Sequence, residues 1–233
     1  MKKIFCVGYA GSLNTYYYKW NNYLPEKWKL INIKLKGRDS KELYYSNLTE
    51  CIQHVYSQII DELEDNCEYF IFGHSMGSII TYEVTLLLIK NKKRLPKFIV
   101  VSGKNPLLFE DDWNISNMND IELIKFLENL RGEIIPYQDV FVKYFLPIIK
   151  NDLMLIQNYK LNIYHEEFEP IDIDILVLNG NEDNMVNKDR LYYWNKLTKK
   201  LCDFYFFEGN HFYLDSNLKE IIEVIKSKSE RRE

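Results

Sequence analysis

Ser75 lies at the centre of residues 73–77, with a glycine two positions before it and another two positions after it. The apolar run 69–72 precedes it, and a helical pattern that begins with Ile79 follows it. A sharp turn from a strand into a helix strains the backbone at the serine, and small residues two before and two after it let the chain close without clashes. Such a turn projects the hydroxyl above the sheet edge, where the helix N-terminus favours developing negative charge. The pattern predicts Ser75 as a nucleophile.

A serine hydroxyl attacks efficiently only when a base takes its proton, so a histidine partner is expected. The chain has four histidines. His54 falls inside an amphipathic helical pattern, His74 is fixed beside the serine, and His165 lies in an acidic stretch. His211 instead follows the apolar run 204–207 on a short loop, at the carboxyl end of a strand. Elimination and position therefore predict His211 as the general base.

The acid should lie on the loop after an intervening strand, because the expected chain order is serine, acid, histidine. Residues 173–178 form such an apolar run and lead into a loop with two acidic residues. Asp183 is predicted as the acid, with Glu182 as the nearby competitor. Two nearby aspartates, Asp172 and Asp174, fall at or inside the strand and would point away from the loop. The acid would hold the histidine tautomer and stabilise the imidazolium.

Two backbone N–H groups should face the carbonyl oxygen of a substrate as it gains charge. One is expected from Met76, directly after the nucleophile. The other is expected from residues 8–12, after the first strand, whose small residues let the backbone approach closely. Ala10 is predicted as this second donor, and Tyr9 is the alternative.

The elements that position these groups follow from short apolar runs that alternate with longer helical patterns. That alternation is typical of a mostly parallel sheet with helices on both faces. With 233 residues, of which 46% are hydrophobic, the chain is predicted to form a single α/β domain over residues 1–233. The serine turn between a strand and a helix makes the α/β-hydrolase fold the expected type. Strands are predicted at residues 4–7, 30–35, 69–72, 98–102, 173–178 and 204–207. Helices are predicted before the third strand, after Ser75, after Asn187, and over about 217–225, with residues 226–233 as frayed charged surface.

Residues 104–169 break the alternation, because they have helical periodicity but no convincing strand. The second half of this stretch is very apolar, and Pro147 should kink or divide its helix. An insertion at this point lies at the carboxyl ends of the strands, where open α/β sheets bind ligands. We therefore expect a helical lid that lines the substrate pocket, with Phe141 and Phe145 as the substrate-binding residues.

The charge balance argues against several classes of partner. Thirty Lys and Arg against 34 Asp and Glu give a net charge of −4, so no overall field attracts nucleic acid or a membrane surface. The apolar run 4–7 is too short for a signal peptide, and no segment approaches the roughly 18 apolar residues of a membrane span. The four cysteines, Cys6, Cys51, Cys67 and Cys202, lack metal-like spacing and are expected as buried free thiols. A cytoplasmic protein is predicted, most simply a monomer.

The motifs together resemble those of type II thioesterases, the free-standing editing enzymes of nonribosomal peptide and polyketide synthesis. The resemblance extends from the first strand to the last helix. Residues 73–77 match the family's G-H-S-M-G. The other matches are residues 5–12 with F-C-x-P-Y-A-G-G-S, 35–38 with L-P-G-R, 101–103 with V-S-G, 146–152 with L-P-x-x-x-x-D, 180–183 with G-x-x-D and 209–212 with G-G-H-F. Gly8 and Lys36 stand where the family usually has proline, and Asn210 where it has the second glycine.

This resemblance implies hydrolysis of acyl groups from the phosphopantetheine thiol of carrier proteins, without a metal or cofactor. It assigns the triad to Ser75, Asp183 and His211, and the oxyanion donors to Ala10 and Met76. Two alternatives share the fold: a carboxylesterase or lipase that acts on small free esters, and a non-catalytic binding protein. Relative turnover of oxyesters and thioesters separates the first alternative, and covalent labelling of the serine separates the second.

Recognition of a carrier protein would have to be local. Carrier proteins of this kind are generally acidic around the pantetheine-bearing serine, whereas this chain is itself net negative. A steering patch would consist of basic side chains near the pocket mouth, and Lys104, Arg131 and Lys143 are the candidates in or beside the predicted lid.

Overall fold

The architecture comes from a computed structural model that describes residues 1–38, 42–64, 66–109, 113–135, 139–159 and 169–231. Six strands form one fully parallel sheet in the order β2-β1-β3-β4-β5-β6. The strands are β1 (Lys2–Val7), β2 (Trp28–Asn32), β3 (Glu68–His74), β4 (Phe98–Ser102), β5 (Asp174–Gly180) and β6 (Cys202–Phe207). The predicted α/β class is confirmed, and each predicted strand is present with ends that differ by three residues or fewer.

Helices connect the strands, and an asparagine side chain caps the start of the first, the third and the fifth of them. The helices are α1 (Leu48–Glu62), α2 (Met76–Lys90), α3 (Asp120–Arg131), α4 (Leu146–Asn158), α5 (Lys188–Leu191) and α6 (Leu218–Glu230). The side chain of Asn47 accepts from the Glu50 amide at the start of α1, and Asn119 forms a capping box with Glu122 at the start of α3. These caps satisfy backbone N–H groups that the first turn of a helix leaves free.

The core lies on both faces of the sheet, as expected for parallel strands covered by helices. Along β3, Tyr69 and Ile71 point into the cluster beneath α1 and α2, whereas Phe70 and Phe72 point into the opposite cluster. That second cluster is covered by α6 and by the short 3-10 helix Tyr16–Asn22. Because both faces of β3 are buried, the strand that carries the serine is held rigidly.

The segment between β4 and β5 is helical in its described parts. It contains the 3-10 turn Ile115–Asn117, then α3, and then a π-helical turn, Phe141–Phe145, that leads directly into α4. Pro147 lies in the first turn of α4, directly after the π-helical turn, so the proline coincides with a change in the helical hydrogen-bonding pattern. His165, one of the three histidines not predicted to be the base, lies outside the described residues.

The C-terminal segment differs from its prediction. Residues 226–230 were expected as frayed surface, but α6 continues to Glu230. The side chain of Lys228 is only 4% exposed, and its ammonium pairs with the carboxylates of Asp174 and Asp203. The prediction was wrong because charged residues were taken as solvated, whereas here opposite charges make burial acceptable. Residues 232 and 233 lie outside the described part.

The cysteines carry free thiols: Cys6, Cys51 and Cys67 are buried, and Cys202 is half-buried. Burial raises the pKa of both Cys51 and Cys202 to about 12, so these thiols stay protonated at neutral pH. Within the described ranges, no helix has the length and hydropathy that crossing a membrane requires.

Candidate active site

The strands β1, β3 and β4 finish at nearly the same level of the sheet, at their carboxyl ends. In the register of the sheet, Val7 of β1 lies beside Gly73 of β3, and His74 of β3 lies beside Ser102 of β4. On the other side, Gly180 of β5 lies beside the end of β6. The loops that carry the sequence-predicted site residues therefore meet at one edge of the sheet.

Ser75 occupies a strained turn between β3 and α2. Its φ of 53° and ψ of −116° lie in a region that non-glycine residues rarely adopt. A Cβ on Gly73 would lie 2.0 Å from the carbonyl oxygen of Gly77, and a Cβ on Gly77 would lie 2.4 Å from that of Val7. The turn can form only with glycine at both positions. The backbone N–H of Ser75 donates to the Ser102 carbonyl over 2.8 Å, which ties the turn to β4.

Asp183 and His211 form a buried pair on the loops after β5 and β6. The Nδ1 atom of His211 lies 2.8 Å from Oδ2 of Asp183, and the two side chains are 4% and 0% exposed. The other carboxylate oxygen accepts from the Met185 backbone N–H over 2.9 Å. Glu182, the competing acid, is exposed to solvent. The geometry therefore brings Asp183, and not Glu182, to the histidine.

The imidazole of His211 lies close to the serine turn. Its ring centre is 4.9 Å from that of His74, the residue before Ser75. A Cβ on Gly103, at the end of β4, would lie 3.3 Å from Cε1 of His211. Because Nδ1 faces Asp183, Nε2 is the nitrogen left to exchange a proton. No hydrogen bond joins Ser75 Oγ to His211 within the described ranges, and such contacts often tighten only when substrate binds.

The other described histidines have different partners. His74 is fully buried, with its Nδ1 atom 2.8 Å from the Ser102 hydroxyl, which in turn lies 2.6 Å from the Tyr213 hydroxyl. Burial, aided by the nearby His211, holds the pKa of His74 well below its ordinary value, so the ring stays neutral. His54 lies in α1, 2.6 Å from the Tyr45 hydroxyl. Of the three described histidines, His211 alone pairs with a carboxylate.

The loop after β1, residues 8–12, is called the β1 loop below. The Ser12 N–H donates to the Tyr9 carbonyl over 2.9 Å, and Gly11 has a φ of 79°. This hydrogen bond closes a tight turn with Ala10 at its corner. Met76 is the first residue of α2, where the geometry of a helix start leaves its N–H free for a ligand. The two predicted donors therefore lie after neighbouring strands, β1 and β3.

Asn210, one of the departures from the family pattern, links the histidine loop to α3. Its side-chain oxygen accepts from the Phe212 N–H over 2.8 Å, and its amide donates to the Arg131 carbonyl. The guanidinium of Arg131 lies 4.9 Å from the ring centre of Phe212. The last turn of α3 thus rests against the loop that holds His211, a contact that a glycine at position 210 would lack.

The predicted substrate-binding and docking residues differ in how far they are exposed to solvent. Phe141 and Phe145 are half-buried, and their rings stack with centres 6.1 Å apart. Lys143 is exposed on the same π-helical turn. Lys104 was expected near the surface, and this is wrong: it is 5% exposed, with its ammonium 5.7 Å from the Trp113 ring centre.

Sequence reasoning assigned no role to Arg38 and Asp152, which the structure joins in a buried ion pair beside the β1 loop. Each lies in a motif of the family resemblance, at residues 35–38 and 146–152. The motifs are far apart in the chain and carry no sign of the contact, so only the fold brings them together.

Proteins of known family match this chain over nearly its whole length. The family model described as "Thioesterase domain" matches residues 2–229. The gramicidin S biosynthesis protein GrsT of Aneurinibacillus migulanus is 26% identical over 230 residues, which is 96% of this chain and 87% of the relative.

Solved structures agree in fold. ClbQ from the colibactin NRPS/PKS pathway superposes with a TM-score of 0.89 at 22% identity, covering 98% of this chain and 96% of that one. The type II thioesterase BorB from the borrelidin biosynthetic cluster superposes with a TM-score of 0.86 at 21% identity, covering 97% and 92%. Since the family model spans nearly the whole chain and the edge of the sheet carries a serine, a histidine and an aspartate, the chain belongs to the thioesterase domain family, whose members are hydrolases of thioesters.

Proposed function

We propose that this thioesterase removes acyl groups from the phosphopantetheine thiol of carrier proteins, as an editing enzyme of nonribosomal peptide or polyketide synthesis. The observation that carries the proposal is the full-length likeness to GrsT, whose name places that relative in gramicidin S biosynthesis. ClbQ and BorB, which share the fold, are likewise named for biosynthetic pathways of this kind. The buried His211 and Asp183 pair beside Ser75 supplies the chemistry.

The first half of the reaction transfers the acyl group to the enzyme. Nε2 of His211 takes the proton of Ser75 as its oxygen attacks the thioester carbonyl, and Asp183 stabilises the imidazolium that forms. The backbone N–H groups of Met76 and Ala10 bind the oxyanion of the tetrahedral intermediate. The carbon–sulfur bond then breaks, and the pantetheine sulfur leaves as a thiol with the proton from the imidazolium, or as a thiolate. In the second case the imidazolium gives its proton to solvent before water attacks, so that Nε2 is again free to act as a base.

The second half regenerates the enzyme. Water attacks the acyl-serine, and His211 accepts its proton through the same Nε2 atom. Collapse of the second tetrahedral intermediate returns that proton to Ser75 Oγ and releases a carboxylic acid. Every proton moves through groups of this chain, of water or of the substrate, so the proposed reaction needs neither a metal nor a cofactor.

The proposal includes a lid built from residues 104–169 within a single domain of residues 1–233. In support, the helix that follows the π-helical turn lies over the β1 loop, since a Cβ on Gly11 would lie 2.2 Å from Cγ1 of Ile149. Phe141 and Phe145, on the turn just before it, then line the acyl pocket. π-helical turns are frequent at functional sites because they re-aim side chains within a helix.

Docking of the acidic carrier is proposed to involve Arg131 and Lys143. Arg131 ends α3 beside the histidine loop, with a side chain that is 41% exposed, and Lys143 is exposed on the π-helical turn. Such local attraction is screened beyond about 10 Å at 0.1 M salt. Carrier-bound substrate should therefore lose kcat/KM as salt rises, whereas a neutral N-acetylcysteamine thioester should not. An equal response of both substrates would exclude a charged docking patch.

The substrate class is tested with one acyl group presented in three forms: on a carrier protein, on coenzyme A, and as an ethyl ester. The Ser75→Ala variant supplies the uncatalysed blank for each form. We expect the highest kcat/KM for the carrier thioester. Faster turnover of the ethyl ester than of either thioester would instead identify a carboxylesterase.

The proposed location is the cytoplasm, where the carrier thiols and the four free cysteines stay reduced. The proposed state is a monomer, and sedimentation at micromolar concentration tests it directly. A single species of about twice the chain mass would contradict the monomer.

A further inference from the structure

A buried ion pair joins three segments at the edge of the sheet that carries Ser75. The guanidinium of Arg38 grips the carboxylate of Asp152 with both terminal nitrogens, at 3.2 Å from Oδ1 and 2.5 Å from Oδ2. The two side chains are 3% and 1% exposed. Arg38 follows β2, and Asp152 lies in α4, 114 residues further along the chain. The pair thus connects the β2 loop to the helix that covers the site.

Both members of the pair also hold the β1 loop. The Gly11 N–H donates to Oδ2 of Asp152 over 2.8 Å, and Nε of Arg38 donates to the Ser12 carbonyl over 3.0 Å. A further bond from Nη1 of Arg38 to the Lys36 carbonyl, at 3.0 Å, anchors the guanidinium to its own loop. Burial raises the pKa of Asp152, while the charge and hydrogen bonds of Arg38 and the Gly11 N–H oppose that rise.

The direction of the Ala10 N–H follows from these bonds. In a trans peptide the N–H points opposite to the C=O. The Tyr9 carbonyl faces the Ser12 N–H, so the Ala10 N–H of the same peptide unit points away from the interior of the turn. The next peptide unit is fixed by the bond from the Gly11 N–H to Asp152. Both peptide units that flank Ala10 are therefore held, and within the described ranges its own N–H has no hydrogen-bond partner.

Stability alone does not explain a pair of this kind. Replacing a buried ion pair with apolar residues of similar volume is often neutral or stabilising, because removing two charges from water is costly. What the pair adds is direction: a guanidinium and a carboxylate present donors and acceptors in a fixed planar geometry. Here the carboxylate accepts from the Gly11 N–H and the guanidinium donates to the Ser12 carbonyl, both close in the chain to Ala10, one of the two proposed oxyanion donors.

We infer that Arg38 and Asp152 are positioning residues that hold the β1 loop so that the Ala10 N–H faces the oxyanion, and that Asp152 couples this loop to α4. The inference rests on the proposed roles of Ser75 and Ala10. Neither side chain touches the reacting atoms. Their effect on the reaction passes through Gly11 and Ser12, and a misplacement of about 1 Å at such a donor costs on the order of 10²-fold in rate.

The test compares Asp152→Asn with a double variant, Arg38→Met with Asp152→Leu, which removes both charges at similar volume. The matched control is Lys228→Met, which breaks a different buried ion cluster, at the opposite ends of the strands from the loops of the site. Each protein is assayed for kcat and KM on an N-acetylcysteamine thioester, for the rate at which a fluorophosphonate labels Ser75, and for its urea midpoint.

Asp152→Asn and the double variant should lose about 10- to 100-fold in kcat and in labelling rate, short of the 10²–10³ for loss of a whole oxyanion donor. KM should change by less than about threefold, because neither variant alters a side chain that is proposed to line the acyl pocket. Lys228→Met should lower the urea midpoint and keep both rates within about twofold. If Asp152→Asn does not fold, the double variant decides.

The inference is overturned if the folded variants keep kcat and labelling rate within twofold of Lys228→Met, since the pair would then serve stability only. Its failure is distinguishable from failure of the proposed function. A wild-type enzyme that is labelled at Ser75 but hydrolyses no thioester would refute the proposed substrate, while the labelling rates would still test the positioning role.

Discussion

Two buried ion clusters lie at opposite edges of the same sheet. At the carboxyl edge, Arg38 and Asp152 bind backbone groups of the β1 loop. At the amino edge, the ammonium of Lys228 pairs with Asp174 and Asp203, at the starts of β5 and β6. The chemistry of the two clusters is alike, with one cation and at least one carboxylate removed largely from water.

The difference lies in what each cluster holds. Asp174 and Asp203 belong to strands whose backbone is already fixed by sheet hydrogen bonds, so their ion pairs fasten α6 to a rigid frame. Arg38 and Asp152 fasten a loop whose direction no ladder determines. We therefore expect the Lys228 cluster to affect the free energy of unfolding. The pair of Arg38 and Asp152 should instead affect the position of the β1 loop.

The largest expected effect at the carboxyl edge is that of Ser75→Ala. Removing the attacking oxygen should lower kcat on the order of 10⁶-fold, as for other serine hydrolases. The fold should be kept, because the hydroxyl makes no hydrogen bond within the described ranges and only one atom is lost. Steady-state assays and a urea titration check both points. Labelling of the variant by a fluorophosphonate at wild-type stoichiometry would show that another residue is the nucleophile.

Asp183→Asn should have the next largest effect, about 10⁴-fold in kcat, because the amide no longer favours the required histidine tautomer. Glu182→Gln is the matched control: it neutralises the adjacent, exposed carboxylate and should cost less than about threefold. Rates of thioester hydrolysis for the two variants decide between them. If the larger loss belonged to Glu182→Gln, the observed pairing of Asp183 with His211 would not be the catalytic one.

A smaller and selective effect is expected in the proposed lid. A glutamate in place of Phe141 or Phe145 should raise KM for an octanoyl thioester by about tenfold or more, since a buried CH₂ is worth about 0.8 kcal/mol and a charge in the pocket repels the chain. KM for an acetyl thioester should hardly change. Tyr144→Glu, on the exposed side of the same turn, is the control. An unchanged chain-length preference in both phenylalanine variants would exclude these rings from the pocket.

The smallest effect on activity is expected at the amino edge. Lys228→Met should lower the free energy of unfolding by about 2 kcal/mol, in the range for hydrogen bonds to charged groups, and should leave kcat within twofold. Although burial raises the pKa of Asp203, hydrogen bonds from Lys228 and Arg231 hold it below its ordinary value. The stabilisation should thus be present above about pH 4 and be lost as the pH falls further, as Asp203 takes up a proton. Urea midpoints at pH 7 and pH 3 measure this, and an equal difference at both pH values would contradict it.

Much of the fold was predictable because its signals are local. Each strand is a short apolar run, and α1 buries Leu48, Ile52, Val55 and Ile59 at the expected steps of three and four. The serine turn was predictable for a similar reason. Its signal lies in five consecutive residues, in which two glycines let the strained backbone at Ser75 pass from a strand into a helix. The roles of Ser75, Asp183 and His211 stay predictions, and the structure places the last two within hydrogen-bonding distance.

The rest depends on contacts between distant parts of the chain. Lys104 and Lys228 were taken as surface residues because lysine is rarely buried, yet each is about 5% exposed or less. Nothing local distinguishes them from solvated lysines, because groups that contact them come from other segments: the Trp113 ring lies beside Lys104, and two aspartates pair with Lys228. The pair of Arg38 and Asp152 was hidden for the same reason.

The central claim is that the acyl group passes from the carrier thiol to Ser75 before water releases it. Wild-type enzyme is mixed with an acyl-carrier protein, quenched within milliseconds by acid, digested, and analysed by mass spectrometry. The account predicts the acyl mass on the peptide that contains Ser75 and a free pantetheine thiol on the carrier, with no such adduct in Ser75→Ala. Deacylation of the carrier at the wild-type rate by Ser75→Ala, with no adduct at any serine, would contradict it.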